Sequence, residues 1–260
     1  MRSEYMYSVF FMNNSVSMIS KADIAYIRSL HNKVNRQKEN VFLVEGWKSI
    51  SEFLDSNFTI VEWYFTDKYA QWKIFSFPFQ RVSDIELSRM TTLMSNDSGI
   101  LVVKMRPNSK PDRIQDELVL MLDGINDPWN LGTIIRIADW YGISHIIVSN
   151  DTVDCYNPKV IMATMGSFSR ISIFYTDIEP YLLENPKRTY GAYLDGESTH
   201  TKKFDWDGWY LIIGSEAHGI RPSLEKYVTD KITIPWFGHA ESLNAAIATA
   251  VILDRIVWSR

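Results

Sequence analysis

The chain has 260 residues, of which 46% are hydrophobic, so it can fill one large or two small cores and is not a disordered chain. Its one cysteine, Cys155, excludes a disulfide framework and a cysteine-based zinc site, and it suits a reducing compartment. No stretch is long and apolar enough to span a bilayer, and the apolar run 7–12 is too short for a signal peptide. We therefore expect a cytoplasmic protein with no membrane segment and no metal site.

The charge of the chain is unevenly distributed. The net charge of −4 argues against a surface that attracts nucleic acid everywhere. However, residues 21–38 carry five basic side chains against one acidic, and residues 104–113 carry four against one. Such local patches indicate contacts with nucleic acid, although solvated helix faces would carry the same charges.

The first part of the chain reads as a small α/β unit after a loose leader at 1–19. Apolar residues recur with helical spacing over 24–34, and a basic turn, Arg36–Lys38, follows. Strands are predicted at 41–44, 60–66 and 99–105, with helices over 47–54 and 84–92. We therefore predict an N-terminal domain at 20–105. The polar stretch 106–117, with two prolines, is the predicted linker.

The second part of the chain, 118–260, alternates strands and helices in the same way. Strands are predicted at 118–122, 145–149, 171–174, 188–194, 209–213 and 231–234. Helices are predicted at 131–141, 158–166, 178–183 and 221–227, and from 245 to the end of the chain. Several of the strands are continuous apolar runs, which is typical of parallel strands covered on both faces. The fold class predicted for this domain is therefore α/β with a mostly parallel sheet.

Three polar loops follow predicted strands, at 123–132, 214–219 and 234–244. In parallel sheets, ligand sites gather outside the carboxyl ends of the strands. The first loop has neither a dinucleotide-binding nor a P-loop glycine pattern, which removes the simplest argument for a nicotinamide enzyme. Arg136 lies within the helix after this loop and suits a phosphate contact, but a surface arginine is the simpler interpretation of that segment alone.

The last loop leads into a helix that is apolar almost all round, from Ala245 to Leu253. Such a helix is buried in a core or against another subunit. Ser242, shortly before this run, is a residue type that favours the N-cap of a helix. The simplest interpretation of this segment is a capped core helix, and the other two loops decide whether its first turn belongs to a binding site.

Together the three loops resemble the SpoU/TrmH family of RNA ribose 2′-O-methyltransferases, in the SPOUT superfamily. The motifs are NDPWNLGTIIRIADWYG at 126–142, LIIGSEAHGI at 211–220 and IPWFGHAESLNAAIA at 234–248, in the family's order. The resemblance covers 118–260. More loosely, NRQKENVFLVEG at 35–46 resembles the family's N-terminal RNA substrate-binding domain.

The resemblance implies a C-terminal domain with a trefoil knot that binds S-adenosylmethionine. It implies a homodimer whose partner chain completes the active site, and RNA as substrate, with ribosomal RNA favoured over tRNA. The implied cofactor-binding residues, several of them through backbone atoms, are Leu194, Gly196, Gly214, Ile234, Trp236, Ser242 and Leu243. A loop after Leu194, containing Gly196, is expected to close one side of the pocket.

The resemblance also implies the catalytic residues. Arg136 has the leading role, with Asn130, Glu216, Ser242 and Asn244 orienting groups around it. Because arginine stays protonated in proteins, we expect it to hold the target phosphate and hydroxyl while another group takes the proton. Ala217 and Trp236 depart from the family's usual glycine and methionine, and both substitutions alter the predicted cofactor pocket.

Three alternatives remain open from the sequence. The same chemistry on tRNA differs only in the RNA, and a separate N-terminal domain favours a structured ribosomal target. A non-catalytic RNA-binding or assembly factor would keep the fold, but the retained Arg136, Glu216 and Asn244 argue against it. A generic α/β enzyme acting on a small molecule would need a pocket signature that the sequence lacks.

Overall fold

The computed structural model describes residues 19–71, 77, 79–111, 117–204 and 208–258; the rest of the predicted leader and linker lies outside the described residues. The helices are α1 (Lys21–Ser29), α2 (Lys33–Glu39), α3 (Trp47–Leu54), α4 (Asp67–Ala70), α5 (Asp84–Met90), α6 (Pro128–Trp140), α7 (Pro158–Ala163), α8 (Ile178–Glu184), α9 (Pro222–Glu225) and α10 (Ala245–Trp258). The strands are β1 (Val41–Glu45), β2 (Ile60–Phe65), β3 (Gln80–Arg81), β4 (Gly99–Lys104), β5 (Val119–Asp123), β6 (His145–Ser149), β7 (Ser172–Thr176), β8 (Arg188–Ser198), β9 (Trp209–Gly214) and β10 (Asp230–Thr233).

The N-terminal unit is a four-stranded sheet in the order β1-β4-β2-β3, with helices packed against it. β4 pairs antiparallel with both β1 and β2, and its first five residues are buried. α1 and α5 each begin with a capping box, in which Ser20 pairs with Asp23 and Ser83 with Glu86. The predicted helix over 24–34 is divided in two. The side chain of Asn32 accepts the N–H of Val34 and so caps a new helix, α2.

The C-terminal unit is a six-stranded sheet in the order β10-β8-β9-β5-β6-β7, and all its neighbouring strands are parallel. All five residues of β5 and the first five residues of β9 are buried, as their apolar sequences predicted. All these strands therefore end at the same edge of the sheet, where the predicted loops lie.

The two units share one hydrophobic core, which contains Phe42 and Phe53 of the first and Phe168 of the second. The rings of Phe53 and Phe168 are stacked with centroids 6.4 Å apart, and Phe42 lies 5.9 Å from Phe168. Arg36 reaches across the same seam, with its guanidinium 2.6 Å from the carboxylate of Asp154. We predicted a basic turn at Arg36–Lys38; that prediction is wrong, because these residues lie within α2, where Arg36 is only 2% exposed.

The start of the predicted linker is attached to the C-terminal unit. The backbone N–H of Arg106 donates to the hydroxyl of Tyr156 at 3.0 Å. The side chain of Asn108 donates to the carbonyl of Tyr175 and accepts from its N–H, both at 2.8 Å, so it satisfies backbone groups of the edge strand β7. These contacts hold the first residues after β4 in a fixed path.

One predicted boundary and one expected helix cap at the site edge of the sheet are wrong. β8 extends to Ser198, so Gly196 lies within a strand and not in a loop after Leu194. The pairing of β8 with β10 holds it there, through a register shift between Lys231 and Ile232. Ser242 does not cap the last helix. Asn244 does, because its side-chain oxygen accepts the N–H of Ala246 at 2.9 Å.

Candidate active site

A cavity of about 720 Å³ opens beside the middle of β8 and at the carboxyl ends of β9 and β10. This volume lies in the range of roughly 300–1,000 Å³ that is usual for small-molecule sites. Among the predicted site residues, those that line the cavity are Leu194, Gly214, Glu216, Ile234, Trp236, Ser242 and Leu243. The structure thus brings two of the three predicted loops, and the middle of β8, around one cavity.

Gly196, a predicted cofactor-binding residue, is not among the residues that line this cavity. A Cβ at this position would lie 2.6 Å from backbone atoms of Ile232. Glycine is needed there because the backbones of β8 and β10 approach closely. In the structure Gly196 therefore packs against a neighbouring strand.

The loop after β9 is a tight turn that returns on itself. Ser215 and Gly219 exchange backbone hydrogen bonds of 3.2 and 2.8 Å. A Cβ on Gly214 would lie 2.0 Å from the carbonyl carbon of Gly219, so only glycine fits. This turn places Glu216 and His218 on the cavity wall, where both are exposed.

A hydrogen-bonded chain of three side chains joins the three predicted loops. Asn244, at the start of α10, donates its side-chain N–H to the side-chain oxygen of Asn130 at 2.8 Å. Asn130 in turn donates to the carboxylate of Glu216. Asn130 lies in the first turn of α6, where the carboxylate of Asp127 caps its N–H at 2.9 Å. Asn130 and Asn244 are not among the cavity-lining residues, but through Glu216 they adjoin the cavity wall.

Arg136 lies on the exposed face of α6, six residues after Asn130. Within the described part of the chain, its guanidinium has neither an ion pair nor a hydrogen bond. An unpaired guanidinium offers up to five N–H donors to an incoming anion. The structure does not place Arg136 in the cavity wall, so a group held by Arg136 would approach from outside.

Two residues that hold the site in place were not predicted, Asp123 and Arg221. Asp123 ends β5 and is 2% exposed. Its carboxylate accepts the backbone N–H of Arg221 at 2.8 Å and lies 2.5 Å from the guanidinium of Arg221. Arg221 also binds Asp151 at 2.9 Å. A charged residue at the end of an otherwise apolar strand was the only signal in the sequence for this contact.

These contacts shift the ionisation of Asp151. Its pKa is lowered, first by a hydrogen bond from Ser149 and also by the neighbouring Arg221, and these effects outweigh burial. Asp151 therefore stays ionised at neutral pH and keeps its bond to Arg221. The network connects the ends of β5 and β6 to the residue that follows the turn 214–220.

The cavity suits S-adenosylmethionine by its chemistry. Leu194 and Leu243 give it apolar walls, which suit a flat adenine ring. Three carboxylates, those of Asp195, Glu216 and Glu241, lie on the same walls and suit a ligand with a positive sulfonium. In the described residues no three His, Cys, Asp or Glu side chains cluster closely enough to hold a metal ion, and no helix is long and apolar enough to cross a membrane.

A parallel α/β sheet with a ligand-sized cavity at its carboxyl edge is typical of ligand-binding α/β proteins, and comparison with known proteins identifies the family. The model of the SpoU rRNA methylase family matches residues 117–254, and that of an MRM3-like substrate-binding domain matches 21–93. The chain belongs to the SpoU rRNA methylase family. The family, the fold class and the enzyme class predicted from the sequence are thereby confirmed.

One relative and two solved structures illustrate the similarity. RlmP of Bacillus subtilis, a 23S rRNA guanosine 2′-O-methyltransferase, is 27% identical over 87% of this chain and 92% of its own. A protein of the TrmH family of RNA methyltransferases from Porphyromonas gingivalis is 31% identical, with a TM-score of 0.80 over 92% of this chain and 98% of its own. An rRNA methyltransferase from Sinorhizobium meliloti, solved with AdoMet, is 27% identical, with a TM-score of 0.81 over 93% and 96%.

Proposed function

We propose that this protein transfers a methyl group from S-adenosylmethionine to a ribose 2′-hydroxyl of ribosomal RNA. The observation that carries the proposal is the chain of hydrogen bonds from Asn244 through Asn130 to Glu216 at the cavity wall. It joins residues 114 and 86 positions apart, all from the predicted motifs. The relative RlmP acts on 23S rRNA, and the match to a substrate-binding domain supports a structured RNA target.

S-adenosylmethionine, when bound, supplies an electrophilic methyl group on a positively charged sulfur. We propose that the walls formed by Leu194, Gly214, Ile234 and Leu243 hold its apolar part, with Trp236 and Ser242 at the edge of the cavity. Glu216 would face the positive end. These residues then fix the direction from which a hydroxyl has to approach, which is the main contribution a protein makes to a displacement of this kind.

Arg136 is the proposed ligand for the RNA. Its guanidinium stays protonated, so it binds the phosphate beside the target ribose and orients the 2′-hydroxyl. The proton of the hydroxyl passes to a phosphate oxygen or to water. Asn130, Asn244 and Ser242 orient groups around this point, since Asn130 lies less than two turns before Arg136 on the same helix.

Arg136→Ala tests the proposal. We expect methyl transfer to RNA to fall by at least about a hundredfold, because the variant loses a contact that positions charge in the transition state. S-adenosylmethionine binding, measured by calorimetry, should stay within a factor of about two. Full methyl transfer by this variant would disprove the assignment, and absence of cofactor binding by the unaltered protein would disprove the reaction.

We also propose a homodimer built on α6 and α10. Trp140 and Trp258, at the ends of these helices, are 83% and 81% exposed, and Ile247 is 52% exposed. An exposed apolar face of this kind marks an interaction surface. Arg136 lies four residues before Trp140 on the same face, so a partner chain would sit beside it. Sedimentation equilibrium should therefore give twice the mass of the chain.

Three further proposals concern the whole chain. The boundaries 20–105, 106–117 and 118–260 separate the two domains and their linker, with a leader at 1–19. A trefoil knot in the second domain is proposed because the chain belongs to the SpoU rRNA methylase family. A cytoplasmic location is proposed because the relative RlmP, from Bacillus subtilis, acts on 23S rRNA.

A further inference from the structure

A second cleft lies in the N-terminal unit, where the last turns of α1 and α5 meet. Its volume is about 500 Å³. It is lined by Arg28, His31 and Arg89 and by three hydroxyl residues, Ser88, Thr91 and Thr92. This cleft belongs to a different sheet from the proposed cofactor cavity, and none of its residues is part of the motifs that define the family.

The walls of the cleft are held by hydrogen bonds. His31 Nε2 is 2.8 Å from the carbonyl oxygen of Met90. A carbonyl can only accept, so Nε2 donates, and this bond ties the residues after α1 to the end of α5. The hydroxyls of Thr91 and Thr92 donate to Glu45, which is 7% exposed and lies behind them. The cleft is therefore formed before any ligand arrives.

Two cationic side chains of this cleft make no direct polar contact with other described residues, although the charge of Arg89 contributes to lowering the pKa of Glu86. Among the described residues, Arg28 and Arg89 have neither an ion pair nor a hydrogen bond, and both are exposed. Other cations of the same unit are paired, for example Lys68 with Asp97 and Arg81 with Asp67. The arginines of the cleft thus keep their full charge for a ligand.

Helix ends explain part of this arrangement. Arg28 and Arg89 each lie in the last turn of a helix, where the helix dipole favours a cation. The helix dipole does not explain why the two helix ends line the same cleft. Two like charges on the walls of one cleft repel each other. Glu86, one turn before Arg89, does not neutralise it by an ion pair, since its carboxylate accepts from Ser83 at 2.7 and 2.8 Å. An anion between the arginines removes the repulsion.

We propose that this cleft binds a phosphodiester group of the substrate RNA, and this inference rests on the proposed RNA methyltransferase function. Guanidinium groups match the planar geometry of phosphate oxygens and bind them in pairs. The hydroxyl of Ser88, at the edge of the cleft, suits the same ligand. Because the cleft is separate from the proposed cofactor cavity, it contributes affinity and register for RNA and takes no part in methyl transfer.

The test is filter binding to an unmodified 23S rRNA transcript at several salt concentrations, without cofactor. Arg28→Ala and Arg89→Ala should each weaken binding about tenfold at low salt, as expected for a lost charge-assisted hydrogen bond. Each should also reduce the slope of log K against log salt by about 0.7 to 0.9, which corresponds to one phosphate contact. Arg28→Lys keeps the charge and should keep the slope.

The matched control is the double variant Arg81→Ala with Asp67→Asn. It removes from the same unit an arginine whose charge is already neutralised by an ion pair. It should leave the slope unchanged. Unchanged slopes in both cleft variants, with normal thermal unfolding, would overturn the proposal, as would equal losses in the control. This experiment measures RNA binding and not methyl transfer. If the cleft variants reduce the slope while a separate assay finds no methyl transfer by the unaltered protein, the proposed phosphate site stands and only the proposed reaction is rejected.

Discussion

Asn130 connects the two other site loops through a single amide group. Its side-chain oxygen accepts from Asn244 and its N–H donates to Glu216, so both ends of the amide have a defined role. This fixes the orientation of the amide, and it explains why an asparagine is needed where an aspartate has the same shape.

Asn130→Asp should lower the turnover number for RNA about ten- to a hundredfold, because the new carboxylate faces Glu216 without a donor between them. Adding Glu216→Gln supplies a donor on the opposite side and should restore part of the lost turnover. Methyl-transfer assays on the two single variants and the double variant provide the measurement. If the double variant loses turnover by the product of the two single losses, the hydrogen bond between Asn130 and Glu216 does not determine turnover.

Sequence patterns singled out candidate site residues that lie together in the structure, but they did not describe the surroundings of these residues. Asn130, Glu216 and Asn244 stand in motifs that the family resemblance singled out, and the structure bonds them to each other. Arg36 and Arg221 were misjudged or missed. Their partners lie 118 and 98 residues away, and no local pattern contains a contact of that kind.

At the scale of secondary-structure elements, the contact of α6 with α7 depends on one glycine. A Cβ added to Gly132 would lie 2.5 Å from the Cβ of Ala163 and 2.6 Å from the carbonyl oxygen of Val160. Real atoms do not approach so closely, so a side chain here moves one helix away from the other. Since Asn130 is two residues earlier on α6, the displacement would reach the site.

Gly132→Ala should therefore destabilise the protein by about 1–3 kcal/mol, the usual cost of overpacking. Urea unfolding followed by circular dichroism measures it. Gly238→Ala is the control, because a Cβ at Gly238 meets no atom within 4 Å. A stability of the Gly132 variant equal to that of the control would show that the two helices separate without cost.

The apolar runs of the sequence predicted most strands and helices, but not where β8 ends or which residue caps α10. The extension of β8 to Ser198 depends on pairing with β10, whose residues come more than thirty positions later. The start of α10 depends on Asn244, which has a second role in holding Asn130. Serine and asparagine are about equally favoured at the N-cap of a helix, so propensity did not distinguish Ser242 from Asn244. The tertiary contact of Asn244 with Asn130 determines which of them caps α10.

At the scale of the whole molecule, the shared core joins the two units into one cooperative structure. Aromatic rings cross the seam, and so do the ion pairs of Arg36 with Asp154 and of Arg170 with Glu52. We expect one unfolding transition in calorimetry, with equal calorimetric and van't Hoff enthalpies. Two separate transitions would show that the units fold independently.

Arg36→Met should lower the free energy of unfolding by about 3–5 kcal/mol, because it leaves the carboxylate of Asp154 largely buried without its partner. Lys68→Met is the control, since it breaks an ion pair whose side chains are 66% and 60% exposed, and it should have little effect. Denaturant titration of both variants gives the comparison. Equal losses would mean that burial of the ion pair is not what stabilises the seam.

Cys155 lies beside Asp154 in the core that joins the two units, and it is the only cysteine in the sequence. Burial, and secondarily the charge of Asp154, raises the pKa of its thiol to about 12, so almost no thiolate is present at neutral pH. A thiol reagent therefore reacts only with molecules in which the two units have come apart. Cys155 is therefore a natural reporter group for that opening, and the rate of its labelling by the reagent measures the opening without an engineered cysteine.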